Sequence, residues 1–485
     1  MAQEVKIVAR TFELDLVKEI SGVDLNILER NTSAELTLLA GKAAGVCYMP
    51  DDYFENGVQD KEKALKRAEM TSKSGHHSVF DHGQITMVIK TNKMMAMILN
   101  SLGVYTTSEK SARYTKMQPE TELELQMYNK WKAKIQELIL TKYPNTDDVE
   151  LRKRFKKWFK EYAGEQQAPP VIEEGSFIHC VDDECYEKLA ELKKSETLPS
   201  MKLAMENARY MISVFTPTTM MYTVSLRQIN LILGYLTYLV ENLTNADDEF
   251  SKRLRPYAVE LSNEIQKTLG EVVISDNKNQ HIRFLEAQHV GEVVSNTNGE
   301  NKFTKFKDLN ERLVEKETVI GDNYTVVYTG SLAMLAQAQR HRTLRYTMML
   351  RKPGQFGFYT PEIVKDAGLE EEWQKDIESV AYCVPQGTMV RITEQGLFED
   401  FALKCKERMC GRVQLEIMKS TSWLVEVFSA NYDKLCYSNK KLLENITEEV
   451  KSSNMREACA RCKFGDFKCA EGCQWGPSKA LSRLI

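Results

Sequence analysis

The stretch Gln337-Ala-Gln-Arg-His-Arg-Thr-Leu-Arg345 places amide, guanidinium and imidazole groups close together in the chain. It follows Ser331-Leu-Ala-Met-Leu-Ala336, a run of small and apolar residues that predicts a close-packed helix. A spacing of three would put Gln337 and Arg340 on one face of that helix, with the following His-Arg pair at or just beyond its end. Such a cluster suits a phosphate and the edge of a pyrimidine. Taken alone, it could equally be a solvated basic helix end.

Length and composition are those of an ordinary globular protein. The chain has 485 residues, 42% hydrophobic and 28% charged, enough for two to four domains with cores of their own. A formal net charge of -4 argues against broad nucleic-acid binding, so any anion site must be local. No apolar run is long enough to span a membrane, and the N-terminus lacks an apolar signal core, so we expect a cytoplasmic protein. Eleven cysteines, an odd number, favour reduced thiols over a disulfide framework.

Two strand patterns, far apart in the chain, each lead into a methionine-bearing helix. Ile85-Thr-Met-Val-Ile89 and Tyr324-Thr-Val-Val-Tyr328 alternate alike and carry a threonine at the same phase. The match indicates a weak internal repeat with a period near half the chain. We therefore predict a first copy over residues 1–245, a second copy over 250–450 and a tail over 455–485.

Longer helical patterns accompany these strands. The first copy should close with an apolar helix over 226–240, and the second with one long helix over 398–418. Residues 151–160 predict a basic amphipathic helix with interleaved aromatic residues. A solvated face that packs its aromatic side chains is the favoured interpretation of that helix, with RNA or membrane contact as the alternative.

Two polar stretches of the first copy are candidate ligand contacts. Ser74-Gly-His-His-Ser-Val-Phe-Asp-His82 holds three of the seven histidines, but without the helical spacing of a zinc site. We interpret it as a packed, hydrogen-bonded turn that feeds a ligand pocket. In Thr106-Thr-Ser-Glu-Lys-Ser-Ala-Arg-Tyr114, small residues would let the backbone approach an anion with which Arg113 could pair.

Together these blocks resemble the flavin-dependent thymidylate synthases. That family has Gly-His-x-Ser/Thr-x-Phe-Glu-His, Gln-x-x-Arg-His-Arg and Ser-x-Asn-Glu-x-Ser-x-Arg-Tyr, then an Ala-Arg start, an Asn-x-Arg pair and a final Arg ahead of Ala-Gln-x-Glu-Ile. The resemblance implies an α+β fold: two copies of a thymidylate-synthase-complementing-type domain, with helices packed on a small antiparallel sheet, plus a short Cys-rich C-terminal segment. The first copy keeps residues 75–82, Glu109, 111–114, Ala208-Arg209 and Arg227, whereas the second keeps 337–342 and Arg408 ahead of Gln414-Leu-Glu416-Ile417.

The two sets of losses are complementary. In this family each deoxyuridylate site is shared between two subunits of a homotetramer, and the two copies here keep opposite sides of such a site. The resemblance therefore implies one composite site for dUMP, with Arg408 as the catalytic residue that favours an anionic, enolate-like uracil. Its dUMP-binding residues would be Gln337, Arg340, Glu109, Ser111, Ala112, Arg113, Arg209 and Arg408.

The resemblance also implies cofactors and an assembly. FAD would be the bound cofactor, with NADPH and methylenetetrahydrofolate as co-substrates, in a homodimer of two-copy chains that mimics a four-domain assembly. Asp81 stands where the family has Glu, and Ser108 and Ser225 where it has Asn, so two alternatives stay open: transfer of another one-carbon group such as hydroxymethyl, and a non-catalytic nucleotide-binding paralogue. The flavin contacts map to Ser78, Asp81, Arg227, Arg340, His341 and Arg342.

The last thirty residues form a cysteine-rich tail. Four thiolates in a compact, glycine-bearing segment are a metal signal, either for a small zinc knuckle or for an iron–sulfur cluster. Unligated reduced thiols are the alternative. The predicted ligands are Cys459, Cys462, Cys469 and Cys473.

Overall fold

The computed structural model of the chain falls into two compact units that each combine separate parts of the sequence. The predicted division into copies at residues 1–245 and 250–450 follows the repeat in the sequence, cuts the chain differently, and stays a prediction. The first unit comprises Met1–Lys110, Val214–Gln288 and Arg345–Lys352, and the second comprises Ser111–Ser213, His289–Leu344 and Pro353–Ile485.

Helices and short antiparallel strands make up the described residues, which confirms the predicted α+β class. Among these residues, none of the helices combines the length and the apolar character that crossing a bilayer requires. The structure describes residues 3–11, 32–48, 60–74, 76–110, 118–165, 167–170, 172–173, 176–177, 180, 182–270, 293–295, 323–340, 344–348, 354–435, 437–450, 455–464, 473 and 475–485.

The elements are numbered along the chain. The helices are α1 Thr32–Tyr48, α2 Lys61–Lys73, α3 Lys93–Leu99, α4 Glu122–Lys142, α5 Asp148–Ala163, α6 Asp183–Lys193, α7 Pro199–Ala208, α8 Leu226–Leu243, α9 Glu249–Leu269, α10 Leu332–Ala338, α11 Glu362–Asp366, α12 Glu370–Ser379, α13 Phe398–Arg408, α14 Leu415–Ala430, α15 Tyr437–Glu444 and α16 Gly476–Lys479. The strands are β1 Glu4–Arg10, β2 Gln84–Asn92, β3 Thr106–Glu109, β4 Ile172–Glu173, β5 Ser176–Phe177, β6 Pro217–Ser225, β7 Val293–Ser295, β8 Asn323–Ser331, β9 Arg345–Met348, β10 Met389–Leu397, β11 Thr447–Val450 and β12 Met455–Ala458.

In the first unit, β2 lies between β1 and β6 and is antiparallel to both. All nine residues of β2 pair with the nine residues of β6 without a bulge. Ile85, Met87 and Ile89 alternate along one face of β2 and are fully buried, as the predicted strand requires. The strand leads directly into α3, where the side chain of Asn92 caps the helix by accepting a hydrogen bond from the backbone N–H of Met95.

In the second unit, β8 lies between β7 and β10 and is antiparallel to both. Its nine residues again pair with nine residues of β10 without a bulge. It leads directly into α10, whose cap is Ser331; the Ser331 hydroxyl accepts from the backbone N–H of Met334 at 3.0 Å. A core of aliphatic and aromatic side chains fills this unit, with the Trp131 and Trp373 rings packed edge to face at 4.9 Å.

The long helix predicted over 398–418 is wrong, because the structure has two helices there. α13 ends at Arg408 and α14 begins at Leu415, and residues 409–414 connect them. Glycine disfavours a continuous helix, and Gly411 lies so close to the Trp475 indole that an added Cβ would be 2.8 Å from its Cδ1. Tertiary packing of the connection therefore overrides the helical periodicity of the sequence.

Two smaller predictions concern polar turns. The helix before the opening stretch ends at Ala338, so the prediction that Arg340 lies on its face is wrong: Arg340 is in the turn beyond it. The packed, hydrogen-bonded turn predicted around the histidines is confirmed as the 3-10 turn His77–Asp81. His77 is buried there, and its Nε2 lies 3.0 Å from the carbonyl oxygen of Ser72.

Candidate functional site

Gln414 is the hub of a buried polar network in the second unit. Its Oε1 accepts hydrogen bonds from Arg209 Nη2 and from Gln337 Nε2, and its Nε2 donates to the hydroxyl of Tyr210. Gln414 and Arg209 are both about 3% exposed. One amide thus joins Arg209, at the end of α7, to Gln337, in the last turn of α10.

Glu416 anchors this network to the start of α10. The Tyr210 hydroxyl donates to Glu416 Oε2 at 2.8 Å, and Ser331 donates to the same carboxylate through its backbone N–H at 2.8 Å and its hydroxyl at 2.5 Å. Burial raises the pKa of the Glu416 carboxyl, while these donors and the nearby Arg209 oppose that rise. Ser331 also caps α10, so Glu416 couples the position of this helix to the orientation of Tyr210.

Arg408 joins the network from the end of α13. Its Nη2 donates to the backbone carbonyl of Gln337 at 3.2 Å, and its side chain is 17% exposed. The side chain of Gln337 donates through Nε2 to Gln414, and its Oε1 makes no hydrogen bond within the described part of the chain. Arg209, Gln337 and Arg408 therefore converge, although they come from three different helical segments.

The side chain of Arg209 carries a buried N–H that has no acceptor among the described residues. Arg209 Nε is buried and, among the described residues, has no hydrogen-bond partner. Leaving a buried charged donor unmet costs about 1–3 kcal/mol or more. An anion bound beside Arg209 would remove that cost, so the donor set fits a phosphate or another oxyanion.

The first unit holds a second polar cluster at the start of α8. Asp81 Oδ1 accepts from the hydroxyl of Ser225 at 2.7 Å, and Asp81 Oδ2 from Arg227 Nη1 at 2.9 Å. Ser225 also caps α8, accepting from the backbone N–H of Gln228. Arg227 and Asp81 are 42% and 47% exposed, so this ion pair contributes little to stability and can exchange partners. Ser78, on the same 3-10 turn as Asp81, is exposed as well.

Glu109 is paired within the first unit. Lys93 donates to its Oε1, and the Thr218 hydroxyl donates to the same oxygen at 3.1 Å. The side chains of Glu109 and Lys93 are 2% and 7% exposed. The carboxylate is thus held by the protein itself, and its predicted contact with dUMP stays a prediction.

The remaining predicted residues differ in exposure, and several of them lie outside the described residues. Arg340 is exposed, in the turn after α10. Cys459 is buried, and burial raises the pKa of its thiol to about 11. In the part of the chain that the structure describes, no group of three or more His, Cys, Asp or Glu side chains could hold a metal ion, and the predicted metal site stays a prediction. Ser111, Ala112, Arg113, His341, Arg342 and Cys469 lie outside the described residues.

Sequence reasoning missed Tyr210. Gln414 and Glu416 appeared only as part of a motif, with no role of their own. Tyr210 directly follows the Ala208-Arg209 pair, but no spacing marks a tyrosine whose hydroxyl bridges an amide and a carboxylate. Only the packing of residue 210 against residues 414 and 416 reveals this role.

Comparison with known proteins gives one partial family match. Among solved structures, a UMP/dUMP methylase PolB from Streptomyces cacaoi bound with 5-Br dUMP has a TM-score of 0.22 and 15% identity, over 48% of this chain and 76% of that one. Two structures of the flavin-dependent thymidylate synthase ThyX from Helicobacter pylori with FAD and dUMP have TM-scores of 0.25 and 0.23 and identities of 12% and 15%; each match covers 56% of this chain and 100% of the other. Scores this low do not argue for a shared overall fold.

No curated protein matches the chain. Residues 30–236, less than half of the chain, match the family model described as thymidylate synthase complementing protein. The matched residues include Arg209 and Arg227 but end before Gln337 and Arg408. Over residues 30–236 the chain is therefore similar to the thymidylate synthase complementing proteins.

Proposed function

We propose that the protein is a flavin-dependent thymidylate synthase that transfers a one-carbon unit from methylenetetrahydrofolate to carbon 5 of the dUMP ring. The observation that carries this proposal is the convergence of Arg209, Gln337 and Arg408 on one buried network with an unmet Arg209 donor. The match of residues 30–236 to the thymidylate synthase complementing proteins supports the substrate class.

The proposal includes an internal duplication, which hydrogen bonds at the start of α3 and α10 support. In the first unit, the N–H of Lys93 donates to Thr216 O at 3.0 Å, and that of Met94 to Val214 O at 2.9 Å. In the second unit, the first two residues of α10 make the same pair of bonds, to Thr388 O at 3.1 Å and to Gln386 O at 3.0 Å. Both helices have seven residues, and both follow a nine-residue strand that lies between an earlier and a later strand.

These matched bonds also give the counterpart of each network residue in the other copy. Aligning Lys93 with Leu332 places Ile98 opposite Gln337, because both helices run without a break. Aligning Thr216 with Thr388 places Ala381 opposite Arg209 and Leu236 opposite Arg408. All three counterparts are apolar: Ile98, Ala381 and Leu236. We therefore propose one nucleotide site per chain.

The side chains at this site would bind and polarise the nucleotide. Arg209 would neutralise the phosphate through its buried Nε, with exposed Arg340 as a second cation. Gln337, held through its Nε2, would accept a hydrogen bond from the ring or sugar through its Oε1. The Arg408 guanidinium would favour the enolate-like uracil anion and remain protonated, since arginine keeps its proton in proteins.

The exposed cluster at α8 fits part of a flavin site. Arg227 donates one N–H to Asp81 and keeps further donors at the surface, where a diphosphate could accept them. Ser78, Asp81, Arg227, Arg340, His341 and Arg342 would hold FAD. When bound, FAD supplies the reducing equivalents for the transfer, and NADPH is their source. Zinc or an iron–sulfur cluster at the tail cysteines and a homodimer of two-copy chains complete the proposal.

One incubation tests this function. The purified full chain should show a bound-flavin absorbance spectrum and release tritium from ring-labelled dUMP when methylenetetrahydrofolate and NADPH are present. Formation of a product other than thymidylate, such as a hydroxymethyl nucleotide, would select the related transferase. Absence of both flavin and tritium release would overturn the enzyme proposal in favour of a nucleotide-binding paralogue.

A further inference from the structure

The connection between α13 and α14, residues 409–414, links two parts of the proposed nucleotide site. Arg408 precedes it directly, and its last residue is Gln414. Any change in the path of this connection would move the Arg408 guanidinium relative to the Gln414 hub. The network at the site therefore depends on what holds the connection in place.

The C-terminal segment comprises the described residues 455–464, 473 and 475–485, and it contacts this connection at three points. The N–H of Arg461 donates to the carbonyl of Met409 at 2.8 Å. The indole of Trp475 lies against Gly411, where no larger residue fits without a shift. Arg483 Nη2 donates to the carbonyl of Val413. These contacts meet the connection near its start, its middle and its end.

The guanidinium of Arg483 is fixed by further hydrogen bonds within the C-terminal segment. Its Nε donates to Ile485 O at 2.7 Å and its Nη1 to Ala480 O at 2.6 Å, and Nη1 also lies 2.7 Å from the sulfur of Met418. The residue is 2% exposed, and burial lowers the pKa of its guanidinium to about 10. The planar guanidinium of Arg483 thus links Ala480 and Ile485 to Val413, the residue directly before Gln414.

Trp475 and Leu484 of this segment contact the core of the same unit. Trp475 packs edge to face on Tyr143 at 4.9 Å, and the Tyr143 hydroxyl accepts from the N–H of Leu484 at 3.3 Å. Both aromatic side chains belong to or pack on the main hydrophobic cluster. Trp475 is therefore part of a hydrophobic core of the second unit, and Leu484 packs against it.

We propose that the C-terminal segment is a clamp that positions the nucleotide site, with Arg483 and Trp475 as positioning residues acting through residues 409–414. The inference rests on the proposed function, since it assigns the clamp to the dUMP site. It gives the tail a role that the family resemblance does not supply. A loose connection would misplace Arg408 and Gln414, and a displacement of about 1 Å at such a site can cost on the order of a hundredfold in rate.

The test compares two arginine variants of the full chain by calorimetric titration with dUMP. Arg483→Ala should weaken dUMP affinity on the order of tenfold, because the connection loses its bond at Val413. Arg456→Ala is the matched control: Arg456 lies in the same C-terminal segment and also donates to backbone and hydroxyl oxygens, but the acceptors are in Thr447 and Glu444 and not in residues 409–414. The control should bind dUMP within about twofold of wild type.

Flavin content and thermal unfolding of each variant separate positioning from folding. If the segment acts as a clamp, the Arg483→Ala protein should fold and bind flavin like the wild type, and only its affinity for dUMP should be reduced. If Arg483→Ala does not fold, Arg483→Lys replaces it and should bind more weakly than wild type, because an ammonium cannot donate to three divergent backbone oxygens as the guanidinium fork does. Wild-type affinity in the folded variant would overturn the clamp. Absence of dUMP binding by the wild-type chain would instead overturn the proposed function.

Discussion

Tyr210→Phe removes one oxygen from the centre of the buried network and leaves the ring in place. The hydroxyl donates to the Glu416 carboxylate and accepts from Gln414. A hydrogen bond to a charged group contributes about 1.5–3 kcal/mol and a neutral one about 0.5–1.5 kcal/mol, so we expect a loss of about 2–4.5 kcal/mol in the free energy of unfolding. The affinity for dUMP should fall as well, because Gln414 loses the bond that orients it toward Arg209 and Gln337.

Urea unfolding, followed by tryptophan fluorescence, measures the stability change. Tyr382→Phe is the matched control, because Tyr382 is the counterpart of Tyr210 in the proposed duplication. Its side chain is 51% exposed, and its hydroxyl lies 3.0 Å from the Thr121 hydroxyl. Removal of that exposed hydroxyl should cost less than about 0.5 kcal/mol.

A loss below about 0.5 kcal/mol for Tyr210→Phe would refute the reasoning, because it would mean that the buried hydroxyl makes no net contribution. Equal losses in the two variants would refute it too. Such a result would show that the loss in the free energy of unfolding does not depend on the buried network around residue 210.

Three further predictions follow from charges in the structure. Lys404 is 1% exposed and donates to fully buried Glu394 at 2.6 Å, so Lys404→Met should destabilise the protein by about 3–5 kcal/mol in urea, and a second change, Glu394→Gln, should recover part of that loss. Burial raises the pKa of the Glu416 carboxyl above 4.5, so this carboxyl keeps its proton to higher pH in the folded state than in the unfolded state. The free energy of unfolding should therefore fall as pH rises from 4.5 through the raised pKa. Glu416→Gln should flatten that part of the pH profile. Arg227→Ala removes an exposed pair with Asp81, so stability should change by less than about 1 kcal/mol while the flavin content of the purified protein falls.

Local sequence patterns predicted β2 and β8, the strands that each lie between two neighbours in their sheets. Alternation and β-branched residues placed a strand over 85–89 and another over 324–328, and the structure has both within β2 and β8. The single helix predicted over 398–418 was wrong, because helical periodicity carries no information on the packing of the Trp475 indole against Gly411. Tertiary contact, absent from any local window, decided where that helix ends.

The candidate site was accessible to sequence only through motifs. Arg209, Gln337 and Arg408 were predicted to share a site, and the second unit does bring them into one network. That Gln414 joins them could not be predicted, because a buried amide hub depends on the packing of helices far apart in sequence. Nor did the Glu109 motif reveal that Lys93 would pair with this carboxylate.

The proposed function requires a single nucleotide site per chain that depends on Arg408. Calorimetric titration of the purified full chain with dUMP measures both the number of sites and the effect of Arg408→Ala. We expect one dUMP per chain for the wild type and loss of binding and turnover in the variant. Two dUMP per chain, or an Arg408→Ala protein that binds and turns over dUMP like the wild type, would contradict it.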